Sequence, residues 1–318
     1  MNKKIYLAPI RGFTNALYRD LLTEYFGGFN LAVSPFISAV NEKRIKKSTL
    51  KDILPENNKG ISIIPQILGN DPENIINLAK HIYDLGYESV NWNLGCPFPM
   101  VAKKRRGSGL LPFPEIINSI LEKVIPNIQN NLSIKMRIGR NRNDEIFNIA
   151  PFLNQFPLEE IIIHPRTGIQ MYEGEADPVV FEKCIKVFDH QLVYNGDIVN
   201  LDTFKTLNNR FMEVNRWMIG RGALINPFLP EIIRKGRDDN SDKLKTLINF
   251  HDELLYRYSQ VLSGPSHIID RMKGYWFYFS QAFKNKKEIF KKVKKVRTLE
   301  QYGSAVKDIY YDDHKLAI

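Results

Sequence analysis

Two hydrophobic rhythms take turns along this chain. Short apolar runs stop at glycine, proline or asparagine, and are followed by stretches whose apolar residues recur every three or four positions. The short runs predict strands at about 4–8, 29–36, 61–68, 88–93, 133–137, 160–164, 192–197 and 216–222. Helical spacing follows the first run through Leu17, Leu21 and Leu22, returns at about 71–85, 113–129, 144–155 and 178–188, and predicts one more helix beyond 197. The 71–85 helix carries its own boundaries: Asp71 as N-cap, Pro72 at the first helical position and Gly86 to close it. Residues 41–60 are polar and predict a loop with one short helix.

Strands alternating with helices call for parallel pairing, and eight such units predict a closed (β/α)8 TIM barrel, with a doubly wound open sheet as competitor. The unusual residues decide between them. Pro9, Gln66, Asn93 with Cys96, Lys135, His164, Asn195 and the Gly220-Arg-Gly222 turn stand at the C-terminal ends of different strands. A barrel gathers such ends on one rim, whereas an open sheet uses one crevice. In the 133–137 strand, Lys135 and Arg137 share one face and Ile134 and Met136 the other.

Beyond residue 238 no strand follows, and 243–261 and 266–283 have helical spacing. The expected division is a barrel over 1–238 and an appended helical domain over 239–318. Residues 284–297 hold eight Lys or Arg against one Glu, with Ile289, Phe290, Val293 and Val296 as an apolar stripe. That pattern predicts a packed helix with a basic outer face, either simply solvated or in contact with nucleic acid.

Composition narrows the partners. The formal net charge of +10 over 318 residues concentrates polyanions around the protein. Two cysteines, Cys96 and Cys184, give no disulfide framework and no cysteine-rich zinc site, and fit a reducing cytoplasm. The apolar start is broken by Pro9 and Arg11 before signal-peptide length, and nothing approaches the ~18 apolar residues that cross a bilayer, so no membrane partner is expected. No G-x-G-x-x-G follows a strand, which argues against a resident dinucleotide domain.

One stretch concentrates the candidate chemistry: Ser89-Val-Asn-Trp-Asn-Leu-Gly-Cys-Pro97, then Lys103-Lys-Arg-Arg106 and Gly107-Ser-Gly109. A strand that ends on Asn93 and turns at Gly95 delivers the Cys96 thiol at an element's end. The glycines would let backbone approach a ligand, and the cations suit phosphate. A strand-to-helix turn with an inert cysteine has the same letters. Cys184, inside a helical pattern without polar companions, reads as packing. Lys135 would be an odd core residue, since lysine is almost never fully buried unpaired.

Seven pieces, in order, resemble the tRNA-dihydrouridine synthases: Leu7-Ala-Pro-Ile-Arg-Gly-Phe-Thr14, Pro65-Gln-Ile-Leu-Gly69, Asn91-Trp-Asn-Leu-Gly-Cys-Pro97 with Gly107-Ser-Gly109, Ile134-Lys-Met-Arg137, His164-Pro-Arg-Thr-Gly-Ile-Gln-Met-Tyr172, Asn195-Gly-Asp-Ile198 and Ile219-Gly-Arg-Gly222. The resemblance implies an FMN-bearing barrel joined to a helical tRNA-binding domain, with NADPH as reductant and no stable protein partner. It implies reduction of the carbon 5 to carbon 6 double bond of a uridine, with hydride from reduced flavin to carbon 6 and a proton from Cys96 to carbon 5. A thiol with a pKa of ~8.5 is mostly protonated at neutral pH and can serve as that acid.

By the same resemblance Ala8, Pro9, Gln66, Lys135, His164, Asn195, Gly196, Asp197, Gly220, Arg221 and Gly222 hold FMN. Lys135 would stabilise the anionic reduced ring, and the glycines after the seventh and eighth strands would cradle its phosphate. Asn93 and Arg166 would read the polar edge of uracil; Lys103, Arg271 and Lys273 would meet tRNA phosphates; Tyr172, Tyr275 and Trp276 are stacking candidates, although aromatic residues in helices are more often core. The chain departs from the family pattern at Ile10-Arg11, at Asn15 where aspartate is usual, and at Phe98-Pro99 in place of a polar pair. An FMN-dependent barrel oxidoreductase acting on a small molecule would share the flavin residues but would not need the basic tail.

Overall fold

The computed structural model describes residues 3–41, 45–311 and 316–318. Part of the expected 41–60 loop, residues 42–44, therefore lies outside the described residues. Ten strand segments pair in parallel: β1 (Lys4–Leu7), β2 (Leu31–Val33), β3 (Ile37–Ser38), β4 (Ile63–Ile64), β5 (Gln66–Leu68), β6 (Ser89–Leu94), β7 (Asn131–Gly139), β8 (Ile161–Thr167), β9 (Leu192–Tyr194) and β10 (Arg216–Ile219). β1 pairs with β10 on one side and β2 on the other, while β2 pairs with β4 and β3 with β5. Pro35 separates β2 from β3 and Pro65 separates β4 from β5; a proline has no N–H to give to a ladder. The ten segments are thus eight passes, and the pairing runs round to its start. The expected (β/α)8 barrel is the fold.

Alternation along each strand sorts the side chains. Val90, Trp92 and Leu94 of β6, Ile134 and Met136 of β7, and Ile161 and Ile163 of β8 belong to the large apolar cluster under the outer helices. The opposite faces differ around the cylinder. Tyr6, Ala8, Val33, Ile64, Ile162, Val193 and Met218 make a small separate cluster inside it. Gln66, Asn91, Asn93, Ser133, Lys135 and Arg137, from β5, β6 and β7, put polar groups on the inner side of the adjoining strands. The helices Ala16–Tyr25, Pro72–Asp84, Pro178–Val187 and Leu201–Arg210 start where Asn15, Asp71, Asp177 and Asn200 accept hydrogen bonds from their first turns.

The helix Leu229–Lys235 ends on Gly236, at a left-handed φ of 72°, and four helices follow: Lys243–Val261, Pro265–Phe279, Lys286–Lys295 and Leu299–Tyr311. They pack onto the barrel through an aromatic seam. Phe250 lies edge-on to Tyr18, Tyr25 and Phe26, and Tyr275 stacks on Tyr18 with centroids 5.2 Å apart. The Tyr275 hydroxyl donates to the Phe13 carbonyl at 2.6 Å, and Tyr258 donates to the Asn15 side chain at 3.0 Å. Tyr275 and Trp276 are fully buried. Of the two roles open to them, core and stacking platform, both take the first, because the helix turns both rings inward. Ile289 and Val293 bury the expected stripe of the basic helix. Among the described residues no helix is long and apolar enough to cross a membrane, and no group of His, Cys, Asp and Glu could hold a metal ion.

Candidate active site

A buried relay of side chains crosses three strands inside the barrel. The Ser133 hydroxyl donates to the Val90 carbonyl and accepts from Asn91 Nδ2 at 2.9 Å; Asn91 Oδ1 accepts from Gln66 Nε2 at 2.8 Å; Gln66 Oε1 accepts from Asn93 Nδ2 at 2.7 Å. Asn93 Oδ1 then accepts from the N–H groups of Gly95 and Cys96 at 3.0 and 2.8 Å. Backbone groups fix the direction at both ends, an acceptor at Val90 and donors at Gly95 and Cys96. None of the three amides can flip without leaving buried groups unpaired. Gln66 keeps one amide hydrogen and one lone pair over for a ligand, and Asn93 one amide hydrogen.

The relay delivers Cys96 at the turn after β6. The expected strand-end placement holds, but the residue is only 7% exposed. Burial pushes its thiol pKa up, opposed by a backbone hydrogen bond at Phe98 and by the charges of Arg11, Arg137 and Arg140. The neighbouring glycines serve the loop itself. Gly107, at φ +55°, would place a Cβ 2.8 Å from the Cβ and carbonyl oxygen of Cys96, and Gly109 would place one 2.3 Å from the Ala102 carbonyl oxygen. On the side where a Cβ would stand, they let chain approach chain.

Next to this turn lies a group of cations with one carboxylate. Lys135 is opposite Asn93 in the β6–β7 ladder, and Arg137 is opposite His164 in the β7–β8 ladder. Burial and then Arg137 push the Lys135 ammonium down to about 7, and no hydrogen bond or carboxylate partner relieves it among the described residues. His164 is pushed well below its ordinary value by burial and by Arg137, Lys135, Arg166 and Arg221. Asp197, at the left-handed φ of 44°, pairs with Arg166 at 2.6 Å and Arg221 at 3.1 Å and accepts the Ala176 N–H at 2.8 Å. Burial would raise its carboxyl, but the Arg166 and Ala176 hydrogen bonds and the two arginine charges hold it below the usual range. Tyr172 is half exposed, and its ring centroid lies 5.3 Å from the Arg137 guanidinium and 5.4 Å from that of Arg221.

The remaining predicted residues divide. Ala8 and Gly220 meet where β1 and β10 end, a Cβ on Gly220 falling 3.3 Å from that of Ala8; Pro9 follows directly. Asn195 ties this rim to β10 through the Met218 carbonyl at 2.9 Å. Gly196 and Gly222 are demanded by Ala176 at 2.8 Å and the Ile198 carbonyl oxygen at 2.1 Å. Lys103 is exposed, whereas Arg271 and Lys273 are half-buried, Arg271 donating to the Gly12 carbonyl and Lys273 to the Val296 carbonyl at 2.6 Å. Three buried residues were missed as site members: Asn91 and Ser133, which orient the relay, and Arg137, which donates to the carbonyls of Gly95 at 3.1 Å and Thr167 at 2.7 Å. Their signal was available as polar letters on the Gln66 and Lys135 faces of their strands.

The residues present fit an anionic, polar heteroaromatic ligand. An ammonium held mostly away from water without a partner is costly, and an anion beside it removes the cost.

Solved structures share the architecture. An old yellow enzyme homologue from Zymomonas mobilis superposes with a TM-score of 0.54 over 76% of this chain and 91% of its own, at 13% identity, and a 2-naphthoyl-CoA reductase complex with 0.57 over 74% and 50%, at 12% identity. The tRNA-dihydrouridine synthase B of Pasteurella multocida is 29% identical over 82% of this chain and 78% of its own length. The tRNA-dihydrouridine(16) synthase of Haemophilus ducreyi is 29% identical over 92% and 90%. Residues 6–313 match the family model described as dihydrouridine synthase (Dus), and the chain belongs to that family.

Proposed function

We propose that this protein is an FMN-dependent tRNA-dihydrouridine synthase that reduces uridine in tRNA to 5,6-dihydrouridine. The observation that carries the reading is the convergence, at one end of the barrel, of the Cys96 turn, the Gln66–Asn93 amide pair and the unpartnered Lys135. FMN, when bound, would supply the two-electron chemistry, carrying reducing equivalents from NADPH to carbon 6 of the uracil ring as hydride.

The chain's own residues do the rest. Gln66 offers its spare polar site to the flavin's pyrimidine edge, and Lys135 places its charge beside the ring, where reduction adds negative charge. Asn93 presents its second amide hydrogen to the uracil. Cys96 gives the proton that carbon 5 needs, which the raised thiol pKa favours by keeping the acid form. A uracil within folded RNA must be extruded to reach this depth, at a cost of a few kcal/mol. The exposed cations at Lys103 and Lys104 and on the helix Lys286–Lys295 supply phosphate attraction to offset it.

The test is mass mapping of dihydrouridine in tRNA from cells lacking this protein, complemented with wild type or Cys96→Ala. Loss at one or a few positions, restored by wild type alone, supports the reading. An unchanged map removes the substrate, and restoration by Cys96→Ala removes the acid. Failure of the yellow protein to bind tRNA at low salt would favour a small-molecule substrate.

A further inference from the structure

The Arg166 guanidinium is committed on several sides. Nη2 donates to Asp197 Oδ2 at 2.6 Å and to the Gly174 carbonyl at 2.7 Å, and Nε donates to the Glu173 carbonyl at 3.4 Å. The remaining nitrogen, Nη1, faces His164 Nε2 at 3.0 Å. A guanidinium carries donors only and keeps its proton in proteins, so the imidazole nitrogen facing it has to accept. A nitrogen that accepts holds no hydrogen, and imidazolium is ruled out because both its nitrogens are donors. What remains is a neutral ring protonated on Nδ1. The charges around the ring point the same way. Lys135 and Arg137 reach it from β7, Arg166 from β8 and Arg221 from the helix after β10, while the one nearby carboxylate, Asp197, is taken up by two arginines. No other hydrogen bond to the ring is made among the described residues.

We propose that Arg166 is a positioning residue that holds His164 as the neutral Nδ1–H tautomer, so that this point of the barrel mouth offers an N–H donor and no acid. The ligand atom that His164 meets is then an acceptor: a carbonyl oxygen, an anionic oxygen or an unprotonated ring nitrogen. His164 cannot replace Cys96 as the proton source, because its one hydrogen sits on a neutral imidazole. The assignment concerns the chain's own ring and stands apart from the flavin reading. It is read on protein stripped of flavin, so either can fail while the other survives.

The experiment is long-range proton–nitrogen correlation on full-length protein carrying 15N-labelled histidine, from pH 5.5 to 8.5. The six histidines are separated by the signal missing in His164→Gln. The expected spectrum has a pyridine-like Nε2 and a pyrrole-like Nδ1, unmoved over that range. Arg166→Met, which removes the donor, is expected to give a tautomer mixture, and Arg166→Lys, which restores one, to recover the Nδ1–H pattern. A wild-type spectrum with protonated Nε2, or with imidazolium at neutral pH, overturns the tautomer. The wild-type pattern persisting in Arg166→Met overturns the positioning role. Once His164→Gln has assigned the signal, the wild-type spectrum decides the tautomer whether or not the Arg166 variants fold.

Discussion

Ser108 holds the carbonyl of Cys96 twice, through its backbone N–H and through Oγ, each at 3.0 Å. The Gly107-Ser-Gly109 segment is therefore the back wall of the Cys96 turn, and Gly107 leaves no room between them. Gly107→Ala adds a Cβ that collides with Cys96 and sits at an unfavourable φ. A displacement of ~1 Å of a reacting group can cost about 10²-fold. Dihydrouridine formation by this variant is expected to fall by about that factor, with flavin absorbance retained. Ser108→Ala, which loses one hydroxyl bond, is expected to fall less. Full activity in Gly107→Ala, measured by mass spectrometry of tRNA, would show that the turn tolerates the shift.

The pH dependence follows from the direction of the Cys96 shift. The acid form is the active one, and burial raises the thiol above its ordinary value of 9.0. Turnover of tRNA should therefore hold through neutral pH and fall only as pH rises past that value. Cys96→Ser presents a far weaker acid, and loss of general acid catalysis of about 10²–10⁴-fold is expected. An alkaline limb that begins near neutrality, or one that persists unchanged in Cys96→Ser, would assign the titration to another group.

Lys135 gives a stability prediction for the flavin-free protein. Its ammonium is lowered from 10.5 to about 7 in the fold, so between these values the unfolded chain binds more protons than the folded one. Stability therefore rises as pH climbs from about 7 toward 10; below about 7 both states carry the proton, and the full cost of holding the charge in the fold remains. Lys135→Met should flatten that rise relative to wild type and lift the melting temperature near pH 6 by at least about 2 °C. Flavin affinity should fall in the same variant, since the ligand is the charge partner the lysine lacks. Identical melting profiles against pH in the two proteins would remove the burial argument.

How much could be read in the letters differed by kind of residue. The eight passes were legible because period-two alternation survives in β6, β7 and β8, and even the two prolines that split passes lie inside expected strands. Gln66, Asn93, Lys135 and His164 stood out as polar residues toward the ends of strands, and Cys96 as the thiol in the turn after one. The glycines at 107, 109, 196 and 222 announced a close approach, and on the side where a Cβ would stand it is chain that comes close, which the letters alone could not say. Arg137 and Arg166 were harder, since their reach exceeds their local strand: one bonds carbonyls in two other segments, the other a carboxylate 31 residues away. For aromatics in the C-terminal helices core was the commoner expectation and is what Tyr275 and Trp276 are, but helical spacing defines a face without saying what covers it.

Tyr275 tests that last point. Its hydroxyl donates to the Phe13 carbonyl and shares a 2.8 Å hydrogen bond with Tyr258, joining the helices to the barrel loop after β1. Tyr275→Phe leaves a buried carbonyl unpaired, a loss of about 1–3 kcal/mol. Thermal unfolding should move down by several degrees, while tRNA affinity well below the transition stays within about twofold. Weakened binding with unchanged stability would mean that the ring reaches RNA.

Lysines that look alike in the sequence should separate by salt. Lys103 and Lys104 are exposed beside the Cys96 turn. Lys273 spends its ammonium on the Val296 carbonyl, at the end of the helix Lys286–Lys295, where the final carbonyls lack helical partners. If the first two neutralise phosphate, each alanine substitution releases fewer counterions, and the slope of log affinity against log salt should shrink by about 0.7–0.9 for each phosphate no longer neutralised. Lys273→Ala removes a cap, so it should lower the unfolding temperature and leave that slope nearly unchanged. Titrating tRNA against the three variants from about 50 to 200 mM salt, beside their melting curves, distinguishes the two roles. A slope change in Lys273→Ala with no loss of stability would return that residue to the RNA surface, because a capping ammonium released from Val296 without cost was never holding the helix end.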